Sequence, residues 1–337
     1  MIQNHRQKIS SHRRRIFLAA TVATLIALPA QSSLFQSVQG GFFHDDNLGR
    51  SAFDADIESD SGIFAAYRVG NAWELEQGRR LTLVGTLGGD LHDEFDGMDR
   101  IGAALDLTFR NRLGLGPTAP TIRAALGIGR DVFDNGVRDA NFARAEFGVT
   151  KRTSDRLELD FFLGYESRHA DDAIIASSGP GPGPSPGPGP SPGPGPSPGP
   201  GPGPGPGPGP GPGPGTAPGD TFDTDLARLG VSAEVTLSAT WWLDLGYTFF
   251  TGDVASNSTA TDEIVDAADA ITNDAVFGAN RFAYRLDADA HRFGVGVGAA
   301  LGSSGSLSLD YEYEDTSADN GIDYDKSIVR LTAVFSF

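Results

Sequence analysis

Twelve stretches of this chain alternate apolar and polar side chains with a period of two, and most run for about ten residues. Residues 156–167 set Leu157, Leu159, Phe161, Leu163 and Tyr165 on one side, and residues 100–110 align Ile101, Ala103, Leu105, Leu107 and Phe109 in the same way. The other stretches lie at 34–44, 62–73, 80–91, 121–130, 141–150, 225–237, 241–251, 282–301, 306–315 and 327–337. A strand points successive side chains to opposite faces, so each stretch has one face suited to an apolar medium and one suited to water. About ten residues is also the length at which a tilted strand crosses a bilayer. In one stretch the parity changes midway: Phe282, Tyr284 and Leu286 oppose Phe293, Val295, Val297, Ala299 and Leu301. That change predicts a bulge near residues 289–291.

The connections are sorted by length. Those at 151–155, 238–240 and 302–305 are short, and those at 45–61, 168–224 and 252–281 are long. Short turns at one end and long loops at the other, with an even strand number, describe an all-β chain: a single 12-stranded antiparallel transmembrane β-barrel with short periplasmic turns and long extracellular loops. A soluble two-sheet domain has no reason to sort its loops this way. Trp73, Trp241, Phe335 and Phe337 fall at the short-turn end, where an interfacial aromatic girdle is expected.

Residues 1–30 read as a secretory signal. Arg6, Lys8, Arg13, Arg14 and Arg15 precede an apolar run at 16–30 that is too short to cross a bilayer as a helix, and cleavage is expected after Ala30. Five of the 26 basic residues lie in that segment, leaving 21 against 44 acidic groups and a formal net charge of −23 for residues 31–337. Such acidity disfavours nucleic-acid partners, which require basic patches. The chain has no cysteine, so an exported protein of this kind depends on the continuous ladder of a closed barrel. Residues 179–215 are a Gly-Pro tract with occasional Ser, inserted in the loop after the seventh stretch. It lacks glycine at every third position, so it is not collagen-like, and it can neither join a ladder nor bury a core. It is either a repeat without a role or a spacer.

The last stretch places Val329, Leu331, Ala333, Phe335 and Phe337 on one face and ends on Phe337. It resembles the closing strand of bacterial outer-membrane β-barrels, with Phe335 and Phe337 at the place of the assembly signal. The phrase Gly40-Gly41-Phe42-Phe43-His44-Asp45-Asp46-Asn47-Leu48 is similar to the opening strand of porin-like outer-membrane barrels of unknown substrate. The resemblance implies a location in the outer membrane, contact with its lipid and lipopolysaccharide, insertion by the barrel assembly machinery, and small solutes as cargo. Autotransporter translocators are also twelve-stranded, but they need a passenger and a plug helix ahead of the first strand, and few residues remain there after cleavage.

Asp106, Arg110, Arg123, Arg144, Glu146, Glu158, Asp160, Arg228, Glu234, Asp244, Asp310, Glu312 and Arg330 all oppose the apolar face of their own stretch. In a barrel they line the lumen, where charges must be solvated or paired. Two readings stay open: an ion-pair network that stiffens the interior, or a charged wall that selects solutes in a narrow channel. Most of the arginines are expected to pair with Glu146, Glu158, Asp160, Glu234 or Asp310. The inward glycines Gly127, Gly129, Gly294, Gly296 and Gly298 suggest room inside. Residues 262–271 carry Ile264, Ala267, Ala268 and Ile271 at helical spacing, which fits a short helix folded into the mouth or an exposed turn.

No catalytic pattern is present. His44, His92, His169 and His291 stand isolated among acidic residues, and no serine sits in a nucleophile motif. No metal or cofactor site is expected, and the acidic runs at 45–47, 54–56 and 319–325 read as solvated loops rather than calcium sites. The function expected is a narrow porin-like channel preferring cations or weakly charged solutes. The alternative is a non-conducting surface protein acting through its acidic extracellular loops.

Overall fold

The computed structural model describes residues 32–76, 78–171, 218–318 and 321–337. The signal expected at 1–30 and the Gly-Pro tract at 179–215 lie outside the described residues. The strands are β1 (Ser32–Asp45), β2 (Asp60–Glu76), β3 (Arg79–His92), β4 (Arg100–Arg112), β5 (Thr121–Phe133), β6 (Ala140–Arg152), β7 (Leu157–Ala170), β8 (Thr224–Thr236), β9 (Trp241–Thr259), the short β10 (Ala270–Asn273), β11 (Arg281–Leu301), β12 (Gly305–Ala318) and β13 (Asp323–Ser336). Each long strand pairs antiparallel with its neighbours. β9 pairs directly with β11, and β13 pairs with β1, which closes a twelve-stranded barrel. β10 belongs to the long connection between β9 and β11 and adds a short rung on β11. Closure leaves no long strand with a free edge, as a lipid environment requires.

The outward faces carry Leu105, Leu126, Ile128, Phe161, Leu163, Leu229, Val295 and Leu309, all exposed. A belt of large exposed apolar side chains around a closed barrel is stable against lipid and not against water. Trp241, Phe335 and Phe337 are exposed at the short-turn end, where Phe337 N donates to Gln36 O at 2.9 Å. Towards the other end Tyr165, Tyr247 and Tyr311 place their hydroxyls on Asp225, His291 and Ser327. These rings suit an interface that is apolar on one side and wet on the other.

The strands continue past the belt on the long-loop side, and this explains the parity change in β11. No bulge is present there. β11 stays in unbroken register with β9 from Arg281 to Ala299 and with β12 from Ala288 to Leu301. Even-numbered residues of β11 face inward along the barrel, and at its top both faces are covered, because Arg281 and Ala283 are buried as well. What reverses is the surroundings. Lower down, Phe293 and Val295 face lipid; higher up, Asp287 and Asp289 occupy the same outer face in water. Inside, Tyr284, Leu286 and Ala288 join Ile264, Ala318 and Ile322 in a buried apolar core, with Ala52, Phe53, Val254, Ala267, Ala268 and Ile271 against it. The helix Asp262–Ala267, capped by Thr261 Oγ1 on Ile264 N, sends Ile264 fully into that core. The segment therefore folds into the mouth rather than standing as an exposed turn. A second small core joins Ala140, Ala170, Phe222 and Ala283.

Inward glycines make room for their neighbours. Phe35, Phe43, Phe142, Phe162 and Trp242 each lie across the glycine directly opposite: Gly70, Gly62, Gly129, Gly230 and Gly298. This is the cross-strand aromatic cover that shields a glycine in a sheet. So most of the expected room is already taken by aromatic rings and long charged side chains.

Candidate functional site: a lumen in two compartments

Among the described residues two cavities stand out in the interior. The lower, in the middle of the barrel and reaching the long-loop strand ends at Asp45, Arg100 and Asp131, has a volume of about 1140 Å³; its lining includes four arginines (Arg68, Arg100, Arg144, Arg330) and seven carboxylates (Asp45, Asp90, Asp106, Asp131, Asp244, Asp310, Glu312). The upper, under the long loops, has about 400 Å³ and is lined by Phe133, Phe222, Phe250, Phe277 and Met98, with five cations (Arg50, Arg138, Arg168, Arg292, Lys326) and three carboxylates (Glu166, Asp253, Glu314). The two linings carry opposite charge bias. Ion pairs span the boundary between them: Arg168 of the upper lining binds Asp131 of the lower, and Lys326 of the upper binds Asp45 of the lower at 2.6 Å.

Glycine spacers assemble part of the wall network. Asp106, Gly127 and Arg144 stand in one register across β4, β5 and β6. With no side chain between them, Arg144 reaches Asp106 with two hydrogen bonds, at 3.0 and 2.6 Å. Glu146, Gly164 and Arg228 repeat the arrangement across β6, β7 and β8, with an ion pair of 2.8 Å. Glu146 also takes Arg123 at 2.8 Å, and Arg123 reaches Asp160 at 3.1 Å. Charge-assisted pairs of this kind satisfy groups held away from bulk water.

The same geometry recurs once with like charges. Asp244, Gly296 and Asp310 are in register across β9, β11 and β12. Asp310 Oδ1 lies 2.2 Å from where a Gly296 Cβ would stand, and Asp244 Cβ lies 3.6 Å from it. Neither carboxylate has a basic partner within ion-pair distance among the described residues. Asp244 accepts from Trp242 Nε1 at 2.9 Å and Asp310 from Ser308 Oγ at 2.8 Å. Glu158 and Glu234 continue the row in register, and of these two Glu158 has a basic neighbour, Arg152 at 3.6 Å. The expected pairing of Glu234 and Asp310 with arginine is thus absent among the described residues. Arg110 stands opposite Arg123 and is exposed, and Arg330 reaches Glu312 at 4.0 Å. β2 and β4, which carry Arg68 and Arg110, each lie five strands round the barrel from β9, which carries Asp244, while Arg330 on β13 stands directly opposite Asp310 on β12. Arg68 and Arg110 therefore lie across the barrel from Asp244, and Arg330 ends the acidic row beside Asp310.

Gly246 and Gly294 are different from the other inward glycines. They oppose each other on β9 and β11, line the lower cavity, and have no atom within 4 Å of an added Cβ. Here the wall is bare.

Several wall residues escaped the sequence pattern. Asp131 and Arg168 lie just past the ends of the periodic stretches, Arg292 sits where the apolar parity of its stretch appeared to break, and Glu314 lies near the end of the stretch at 306–315. The signal for Arg292 and Glu314 was their even position on strands whose lower halves point odd residues outward. Trp242, inward by parity, lies on Gly298.

No family model and no curated protein sequence matches the chain. Among solved structures it is similar to an outer membrane channel from Pseudomonas putida F1, with a TM-score of 0.53 and 10% identity over 92% of this chain and 97% of that one. The NanC porin follows at a TM-score of 0.40 and 9% identity, over 89% of this chain and 98% of that one. At 10% identity the first likeness is one of fold, and the second adds nothing to it. Closed ladder, lipid-facing belt and shared fold together make this chain a twelve-stranded transmembrane β-barrel with the fold of an outer membrane channel.

Proposed function

We propose that the barrel is a narrow porin-like channel for small solutes. The observation that carries this reading is the unfilled lower lumen of about 1140 Å³ with the bare Gly246–Gly294 wall. Twelve strands lie between eight, whose interior closes on side chains, and the sixteen to eighteen that leave a wide aqueous channel. Here paired charges fill part of the interior and leave the rest polar and hollow. Asp244, Asp310 and Glu234, with Arg330 beside Asp310, and Arg68 and Arg110 on the far side, form the wall a solute would meet. The remaining lumen charges, Asp106, Arg123, Arg144, Glu146, Glu158, Asp160, Arg228 and Glu312, act as the frame that holds that wall. The lower lining has an acidic excess, which favours cations. The barrel acts without catalysis. Its neighbours are outer-membrane lipid and lipopolysaccharide, and Phe335 and Phe337 serve its insertion by the assembly machinery.

Single-channel recording in planar bilayers tests the reading. Discrete, reproducible conductance steps are expected from the refolded chain, and a silent, correctly folded barrel would overturn it. One observation favours the second reading, a closed surface protein: the apolar core around Ile264 and Tyr284 fills part of the mouth. Under that reading no conductance appears even when this core is loosened.

A further inference from the structure

The upper compartment has the build of a ligand site separate from the conducting lumen. Its volume of about 400 Å³ falls in the range of small-molecule sites, which are mostly apolar with a few placed polar groups. Phe133, Phe222, Phe250 and Phe277 supply the apolar wall. Its lining cations outnumber its lining carboxylates, but Arg138, Arg168 and Lys326 are each paired with a carboxylate beyond the lining, Asp274, Asp131 and Asp45. Arg50 is the least satisfied of them. Its Nε is buried without a hydrogen-bond partner among the described residues, and its ion pair to Glu314 Oε1 spans 3.6 Å, beyond hydrogen-bond reach. Glu314 is already taken by Arg292, which donates two hydrogen bonds to its other oxygen at 3.0 and 2.5 Å. Arg50 is also held in place. Its backbone has φ 53, its N–H donates to Asn47 O, and the Asn47 side chain ties Ser51 N, Ser51 O and Asp325 O together.

We propose that this compartment binds a small organic anion with a flat apolar body, an aromatic carboxylate being the simplest case. The carboxylate pairs with the Arg50 guanidinium, and the body lies among the four phenylalanines. A neutral ring leaves Arg50 as it is, and a cationic ring is repelled by it.

Calorimetric titration of the refolded chain in detergent with sodium benzoate, benzyl alcohol and benzylamine tests this without any need for conduction. Benzoate is expected to bind at least tenfold more tightly than either of the others. Arg50→Gln is expected to weaken benzoate at least tenfold while the barrel keeps its heat-modifiable migration. Equal binding of the three probes, no benzoate binding, or a folded R50Q variant with unchanged affinity would each overturn the proposal. If R50Q does not fold, the three-probe series on the unaltered chain decides alone.

Discussion

Gly294 on β11 stands directly opposite Gly246 on β9, and no atom lies within 4 Å of a Cβ added to either. A side chain there meets water rather than protein. Gly294→Phe should therefore narrow the lower lumen at little cost in folding. Single-channel conductance is expected to fall by more than half, with assembly and heat-modifiable migration unchanged. Unaltered conductance would move the solute path away from this wall.

The neighbouring glycine predicts the opposite. A Cβ at Gly298 would lie 2.1 Å from Trp242 Cζ2. Overfilling a packed site costs about 1–3 kcal/mol, so Gly298→Ala should lower the denaturant midpoint of the barrel. Trp242→Ala in the same chain should recover part of that loss, because the two sites share one contact. Additive losses in the double variant would contradict the packing.

Selectivity follows from the row of carboxylates. Asp244 and Asp310 meet across Gly296 without basic partners in reach among the described residues, and seven carboxylates against four arginines line the lower lumen. The reversal potential under a potassium chloride gradient should show cation preference. Asp244→Asn with Asp310→Asn should shift it towards zero. An anion-selective value in the unaltered chain would show that Arg68, Arg110 and Arg330 set the filter instead.

The mouth core is expected to fail separately from the barrel. Ile264 is fully buried among Tyr284, Leu286 and Ile322, and truncation of such a residue costs about 2–5 kcal/mol. Ile264→Ala should speed proteolytic cleavage within 260–280 while the twelve-stranded ladder stays intact. Loss of the whole fold would mean that the cap and the barrel form one cooperative unit.

Phe337→Ser tests the terminal residue. Its side chain is 78% exposed, and its backbone N–H bonds to Gln36 O. The substitution removes little packing from the folded barrel, so refolding in detergent should be near normal. Insertion in cells should drop. Normal insertion would leave Phe335 and the preceding strand as the signal.

The strand number, the sorting of loops and the position of each apolar face were readable in the residues alone. Lipid and water sort side chains by a rule that acts residue by residue along a strand, so Leu157 to Tyr165 report it without reference to any other segment. That rule misled at β11. The medium changes along the strand from lipid to water outside and from lumen to protein core inside, and the alternation of Tyr284 and Phe293 looks like a bulge where the register is continuous. What period alone does not carry is which residues stand opposite one another round the barrel. Arg144 reaches Asp106 because register puts Gly127 between them, and two acids meet at Gly296 for the same reason. Whether an inward glycine leaves space depends on the strand beside it: Trp242 fills Gly298, and nothing fills Gly294. The sequence by itself determined a closed barrel in lipid, because burial of an apolar face is a local property. The hollow wall, the paired frame and the two oppositely charged compartments were decided by tertiary structure, because they depend on register between strands and on a loop that folds back into the mouth.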